Sequence, residues 1–470
     1  MAYSVNTTPL LQEYDSENED ERQIQPNTAV INDKPLFFKP LEPRDRYYMS
    51  FFIFYLLGVV TLLPWNFYVT ADDYWMYKFR NISLNSSVVN ASAKRTPLQA
   101  EFTSYLSLAS SVPNLIFLAL NTAISHRVSL NKRVLGSLVS MLILMIATLV
   151  FVNLNTDQWQ QIFFVVTLTC IVLLNVTNIV VLTLYFSHFS VCSAIFSGSI
   201  FGVVGKFSPI YITAVIGGQA LGGIFAAVAE IVSLSIGASS THAAFVYYVI
   251  GNVTIVISII CYVVLEKTVF FNYHFLEHPD SNEFDSKSGS LDISYKVILK
   301  KMWCYGLSVF LTLAFTLSVY PGVTVLIESE GKGHGNRWND VFFVPTIAYL
   351  LFSVGDYLGR ILAGRLLKPK NISALMILSI ARFIFIPLLM LCNAQPRHHW
   401  AVVFDKDYEY ILILFMCALS NGYLANIVAI FVPKVVDHHE KEIASSILTI
   451  FMGIGLTLGS AVSLFMVRLL

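Results

Sequence analysis

The chain has 470 residues, 56% of them hydrophobic and 13% charged, with a formal net charge of zero at pH 7 and a mean hydropathy of +0.65. Soluble domains carry about 25% charged residues, so this chain cannot cover a soluble surface of its size, and its balanced charge gives no pull toward nucleic acid. Uncharged runs such as Val134 to Thr156, Tyr211 to Ala229 and Phe245 to Leu265 approach or exceed the roughly 20 residues that cross a bilayer, which defines an all-α polytopic membrane protein.

Residues 1–46 are polar and acidic (Glu17, Glu19, Asp20, Glu21) and read as a disordered tail with no cleavable signal peptide. Within it, Thr7 to Leu11 (TTPLL) reads either as a dileucine sorting signal or as two chance leucines. Eleven spans follow, at roughly 47–71, 103–124, 134–154, 162–201, 208–235, 243–265, 302–327, 341–366, 372–393, 410–432 and 443–467.

The first span ends in GVVTLLPWNFYVTADDYW, where Pro64 leaves the carbonyl of Val60 without its helical donor. Trp65 and Asn66 beside it either line a cavity or anchor the helix at the headgroups, a role that Tyr74 and Trp75 fit better. Three glycosylation sequons, at Asn81, Asn85 and Asn90, place the next loop outside the cytoplasm. Alternate loops carry the positive charge (Arg127, Lys132 and Arg133; Lys206; Lys296, Lys300 and Lys301; Arg365, Lys368 and Lys370; Lys434 and Lys441). Both signals put the N-terminus in the cytoplasm and, with eleven spans, the C-terminus outside or in a lumen.

The fourth span is too long for one helix and too short for two. Gln219 and Glu230 interrupt the fifth. Residues 266–301, polar and Ser/Asp-rich, form a cytoplasmic linker between a six-helix part (47–265) and a five-helix part (302–470). The eighth span holds Asp356 and Arg360 at i and i+4, stacked on one helix face. Each would cost roughly 2.5–3.5 kcal/mol at a bilayer centre, so the pair reads as a functional site or as a packing ion pair. Arg382 and Asn421 add polar groups to later spans. Glycines recur at four-residue spacing (Gly198 and Gly202, Gly218 and Gly222, Gly355 and Gly359, Gly455 and Gly459), a pattern that lets helix backbones approach.

The six cysteines fall in or beside apolar runs and read as small apolar residues. No phosphate-binding P-loop, G-x-S-x-G elbow or HExxH helix occurs, and the RHHW (397–400) and DHHE (437–440) runs lie on opposite sides. An enzyme, a cofactor and a metal site are therefore not expected; a secondary transporter is.

LLPWNFYVTADDYW, GGQALGGIFAAVAEI, DYLGR, PLLMLCNAQPR and LSNGYLANI…VPK together resemble the equilibrative nucleoside transporter family, solute carrier family 29, over nearly the whole chain after residue 46. DYWMYKFRN is similar to its lysosomal branch. The resemblance implies a major-facilitator-like arrangement of six plus five helices, a nucleoside substrate (nucleobases in some members) and alternating access. It implies that Leu62 and Trp65 line the cavity, that Asp356 and Arg360 bind ribose hydroxyls and base edge, and that Tyr320 and Leu456 sandwich the base. It ties Arg133 to transport competence, and Gln219, Arg382 and Asn421 are expected to gate or brace the bundle. Ser197 stands where the family has a base-contacting glutamine, and Ser353 where an asparagine is common. Val176 to Val191 has no family counterpart and reads as an insertion. The membrane is plasma or late endosomal/lysosomal. A proton-assisted organic cation carrier of the same fold and a non-transporting receptor are the alternatives.

Overall fold

Pro64 breaks the first span. In the computed structural model α1 (Met49–Thr61) stops at Leu62, and α2 (Leu63–Thr70) restarts at a 47° bend with the proline in its first turn, the one helical position where a missing N–H costs nothing. The carbonyl of Val60 is not orphaned as the sequence suggested: it accepts from the N–H of Leu62, and Thr61 Oγ1 donates to the carbonyl of Gly58 at 2.6 Å. The kink is a satisfied break, so it persists in an apolar setting.

The structure describes residues 43–80, 95–124, 130–176, 196, 199–200, 203–204, 207, 209–236, 239–276, 295–369, 371–397, 399, 401–437 and 440–470. The sorting-signal reading at Thr7 to Leu11, the sequons at Asn81, Asn85 and Asn90, Ser197, Gly198, Gly202 and the proposed insertion beyond Val176 lie outside these residues.

After α2 come α3 (Asp72–Lys78), α4 (Pro97–Ile124), α5 (Leu130–Asn153), α6 (Gln160–Val176), α7 (Pro209–Ile236) and α8 (Ser240–Glu266). The short α9 (Val269–Leu276) leads to α10 (Tyr295–Val319), so the expected linker 266–301 is helical toward both ends. Two π-helical stretches, Trp338–Phe342 and Val344–Leu351, open into α11 (Phe352–Leu366). They are followed by α12 (Ile372–Ala381), α13 (Phe385–Met390), α14 (Asp407–Val435) and α15 (Lys441–Leu469). Among the described residues there is no strand, only two isolated bridges. Among the described residues eight helices are long and apolar enough to cross a membrane, nine with the bent α1–α2 pair as one span. The expected spans at 103–124 and 162–201 overlap α4 and α6, which are not among them.

Two kinds of seam join the helices. On α1–α7, α11–α14 and α10–α15 the backbones themselves touch. A side chain at Gly58 or Gly218 would strike the carbonyls of Val215 or Tyr55, one at Gly359 the carbonyl of Leu419, and one at Gly455 or Gly459 the carbonyls of Phe310 (2.7 Å) or Ala314 (2.6 Å). Three of the four glycine pairs read from the sequence therefore mark these seams. The α4–α15 seam is made instead of hydroxyls. Ser104 faces Ser463 at 3.1 Å, Ser111 faces Ser460 at 3.0 Å, and Thr457 reaches the carbonyl of Ser111 at 3.3 Å. Arg468 closes its end on both oxygens of Glu101 (2.9 and 3.1 Å) and on the Tyr105 hydroxyl. Ser111, Thr457 and Ser460 are each also within reach of a carbonyl one turn back on their own helix (2.7–2.9 Å).

Candidate functional site

The i, i+4 spacing on α11 brings Arg360 Nε to 2.8 Å from Oδ2 of Asp356. The other carboxylate oxygen, Oδ1, accepts from Nδ2 of Asn421 on α14 at 2.7 Å. Behind Asn421, Thr316 Oγ1 on α10 lies 2.8 Å from its Oδ1, and Nη2 of Arg382 donates to Thr316 at 2.6 Å. Arg382 also donates to Ser420 and to the carbonyl of Cys417. The sequence paired Asp356 with Arg360 and singled out Asn421 and Arg382 separately; the structure links all four, through Thr316, into one chain. Thr316 was missed because a threonine in a membrane helix ordinarily bonds its own i−4 carbonyl, as it does here toward Thr312 at 2.8 Å.

Exposure falls along this chain. The Arg360 side chain is 32% exposed and that of Asp356 13%, while Asn421, Thr316 and Arg382 are at 7%, 1% and 3%. Asp356 and Arg360 are the accessible end. A carboxylate has about four acceptor positions and a guanidinium five donors, so the pair keeps free acceptors and donors side by side after bonding to each other.

An aromatic wall stands beside it. Tyr320 stacks on Phe352 with ring centroids 3.6 Å apart and planes at 7°, and its phenol lies in the field of Asp356. Phe352 is one turn before Asp356 and was not singled out from the sequence. Ser353 packs against Gly223 of α7, and the phenols of Tyr55 of α1 and Tyr357 of α11 lie in each other's field, so α1 and α7 close on the same stretch. Trp65 is half-buried against the core, Leu62 at the kink is 39% exposed, and Asn66 rests on Gly222 of α7. Gln219 is half-buried on that helix. Leu456 is half-buried and packs against an apolar cluster of Ile298, Met302, Val309 and Val428, and Arg133 is buried at the start of α5.

A second polar group surrounds Glu230, 3% exposed on α7, whose Oε2 has no hydrogen-bond partner among the described residues. Asp73 and Asp72 of α3 act on it electrostatically, and it acts in turn on Tyr247 and Tyr248 of α8 and on Tyr349 of the π-helical stretch. Burial pushes the Asp72 carboxyl up to about 6, with Arg95 and Lys332 pulling it down and Asp73 adding to the rise. Asp73 is raised by burial too, with the nearby Ser240 side chain pulling the other way. The described cysteines 261, 304, 392 and 417 are free thiols, and no group of three or more His, Cys, Asp or Glu among the described residues could hold a metal ion.

A multi-pass helical bundle with a paired acid and base at the accessible end of a buried hydrogen-bond chain defines a membrane solute carrier. The chain belongs to the nucleoside transporter family, whose model ("Nucleoside transporter") matches residues 184–468. It is 32% identical to Equilibrative nucleoside transporter 1 of Homo sapiens, over 90% of this chain and 97% of that protein. It is 31% identical to Equilibrative nucleoside transporter 3 of Rattus norvegicus, over 93% and 94%. It is 23% identical to Equilibrative nucleotide transporter 8 of Arabidopsis thaliana, over 92% and 98%. The family is one of transporters, not enzymes.

Proposed function

We propose that this protein moves nucleosides down their gradient across a membrane by alternating access, with Asp356 accepting ribose hydroxyl hydrogens and Arg360 donating to acceptors on the base edge. The observation that carries this reading is the Asp356–Arg360 pair at 2.8 Å, braced from behind by Asn421 and flanked by the Tyr320–Phe352 stack. A sugar hydroxyl, a base acceptor and a flat ring each meet a matching group within a few residues. Trp65 and the exposed Leu62 at the α1–α2 kink form the facing wall.

The moving parts are the six-helix bundle 47–265 and the five-helix bundle 302–470, in eleven spans with the N-terminus cytoplasmic and the C-terminus outside or luminal. Backbone-touching seams hold each bundle rigid. Three of the α4–α15 hydroxyls, Ser111, Thr457 and Ser460, part without stranding a donor, since each has a carbonyl on its own helix. The membrane is plasma or late endosomal/lysosomal, and the sequons at Asn81, Asn85 and Asn90 are glycosylated. Uptake of radiolabelled adenosine and uridine, at neutral and acidic pH and at equal surface expression, tests the reading. Saturable uptake lost in Asp356→Ala supports it; wild type inert to both nucleosides refutes it.

An organic cation carrier is the second reading, favoured by the buried Glu230 oxygen without a partner among the described residues. Against it stand two guanidiniums, Arg360 and Arg382, for one carboxylate at the Asp356 site. Uptake of a cationic amine without uridine uptake would select it, and absence of any flux in proteoliposomes would select a receptor.

A further inference from the structure

We infer that Thr316 and Arg382 are positioning residues that set the orientation of the Asn421 amide and, through it, hold the Asp356 carboxylate in its substrate-receiving pose. The inference rests on the nucleoside-transport reading above and assigns the work done behind the accessible pair.

The argument is one of donor polarity. An ionised carboxylate only accepts, so the amide group of Asn421 that faces Asp356 at 2.7 Å must be its NH₂. Its carbonyl oxygen then points the other way and, buried between helices, needs a donor. Thr316 supplies one at 2.8 Å. A hydroxyl has a single proton, and Thr316 can also give it to the carbonyl of Thr312 at 2.8 Å. What biases the choice is Arg382. Its Nη2 donates to Thr316 Oγ1 at 2.6 Å, which fills a lone pair and polarises the remaining O–H toward the next acceptor. The direction of donation therefore runs without reversal from Arg382 through Thr316 and Asn421 to Asp356. A flipped Asn421 would set its oxygen against the carboxylate and its NH₂ against a Thr316 already receiving from Arg382.

The arrangement also divides the labour among carboxylate atoms. Oδ1 is tied to the buried relay and Oδ2 to Arg360, which fixes the plane of the carboxylate and leaves the second lone pair of each oxygen for the solute. Arg382 makes no contact with a carboxylate among the described ion pairs; its hydrogen bonds go to Thr316, Ser420 and Cys417. Two neutral side chains, Thr316 and Asn421, stand in the hydrogen-bonded path between it and Asp356, although the two charges also act on each other through space. A residue present only to pack the bundle would not need this orientation.

The test separates this role from packing by comparing two solutes. Thr316→Val keeps the shape and removes the hydroxyl; Thr316→Ser restores it. Adenosine presents its 2′ and 3′ hydroxyls to the Asp356 acceptors, and its 2′,3′-dideoxy analogue lacks these two and keeps only the 5′ hydroxyl. Thr316→Val is expected to raise the KM for adenosine about tenfold, to leave that for the dideoxy analogue within about twofold, and to be reversed by Thr316→Ser. In an Asp356→Asn background it is expected to add nothing further, because the residue it positions is gone. Equal losses for both solutes, or the same loss with Asp356 replaced, would overturn the inference. Should wild type carry no nucleoside, the function reading fails on its own, and the ¹⁵N-labelled side-chain amide of Asn421 still decides the relay in the purified protein. Its NMR signal is expected to shift in Thr316→Val and in Arg382→Gln and to return in Thr316→Ser; an unmoved signal would overturn the inference.

Discussion

Gly422 is pressed against the backbone carbonyl of Asp356, with no room for a methyl group between them. The residue before it, Asn421, donates to the carboxylate of the same aspartate at 2.7 Å. Close approach and hydrogen bond are two readings of one register between α11 and α14. Any side chain at Gly422 pushes the helices apart and pulls the amide off its acceptor.

Gly422→Ala is therefore expected to cost about 2–3 kcal/mol or more through overpacking and to abolish uptake. Gly364, on the same α11 but with open space around it, gives the contrast: Gly364→Ala should gain about 0.5–1 kcal/mol from helix propensity. Melting of the two purified variants in detergent checks both signs.

Arg360→Lys keeps the charge but loses the planar fork. It is expected to lower nucleoside uptake about tenfold or more, the cost of one charged hydrogen bond, at unchanged surface expression. Competition with unlabelled adenosine would show the loss as a raised KM.

The Asp72 carboxyl, held up at about 6 against an ordinary 3.8, makes stability fall as pH rises. Between those values the folded chain keeps a proton that the unfolded chain has released, so the contribution is fully present below about pH 4 and is lost as pH climbs through about 6. Asp72→Asn should remove this dependence and be the more stable protein at neutral pH by up to about 3 kcal/mol. Melting temperature against pH for the two proteins reads it directly; parallel curves would refute it.

Ser104 and Ser463 meet across the α4–α15 seam at 3.1 Å. With both replaced by cysteine, an apolar oxidant is expected to lock the seam and stop uptake, and a reductant to restore it, while each single variant ignores the oxidant. Continued uptake by the cross-linked double variant would mean that the bundles do not part there.

How much of this was legible in the sequence depends on the interaction. Asp356 and Arg360 could be paired from four-residue spacing, because a helix fixes that geometry alone. The break at Pro64 was legible for the same reason, but not the Leu62 N–H that satisfies Val60, since a kink's exact turn is set by packing. Asn421 and Arg382 stood out as polar residues in apolar runs, yet nothing local says that they converge on one aspartate from 65 positions away in the first case and through Thr316 in the second. Glycine pairs announced close seams without naming partners. Serines 104, 111, 460 and 463 gave no signal, because a hydroxyl in a membrane helix is ordinary until another faces it. The π-helical entry to α11 has no sequence mark either.

The α4–α15 hydroxyls have a consequence for how the protein is tuned. A seam of charges or of interlocked apolar side chains is strong in large steps: one substitution either breaks it or does not. A row of hydroxyls offers small, nearly independent increments, each a weak bond, and Ser111, Thr457 and Ser460 have a ready substitute on their own helix. The balance between the joined and parted forms can then be set like a dial, one hydroxyl at a time, to suit the speed a given membrane demands. On the proposed transport cycle, neither the helix fold nor the chemistry proposed for Asp356 need change for the pace to do so.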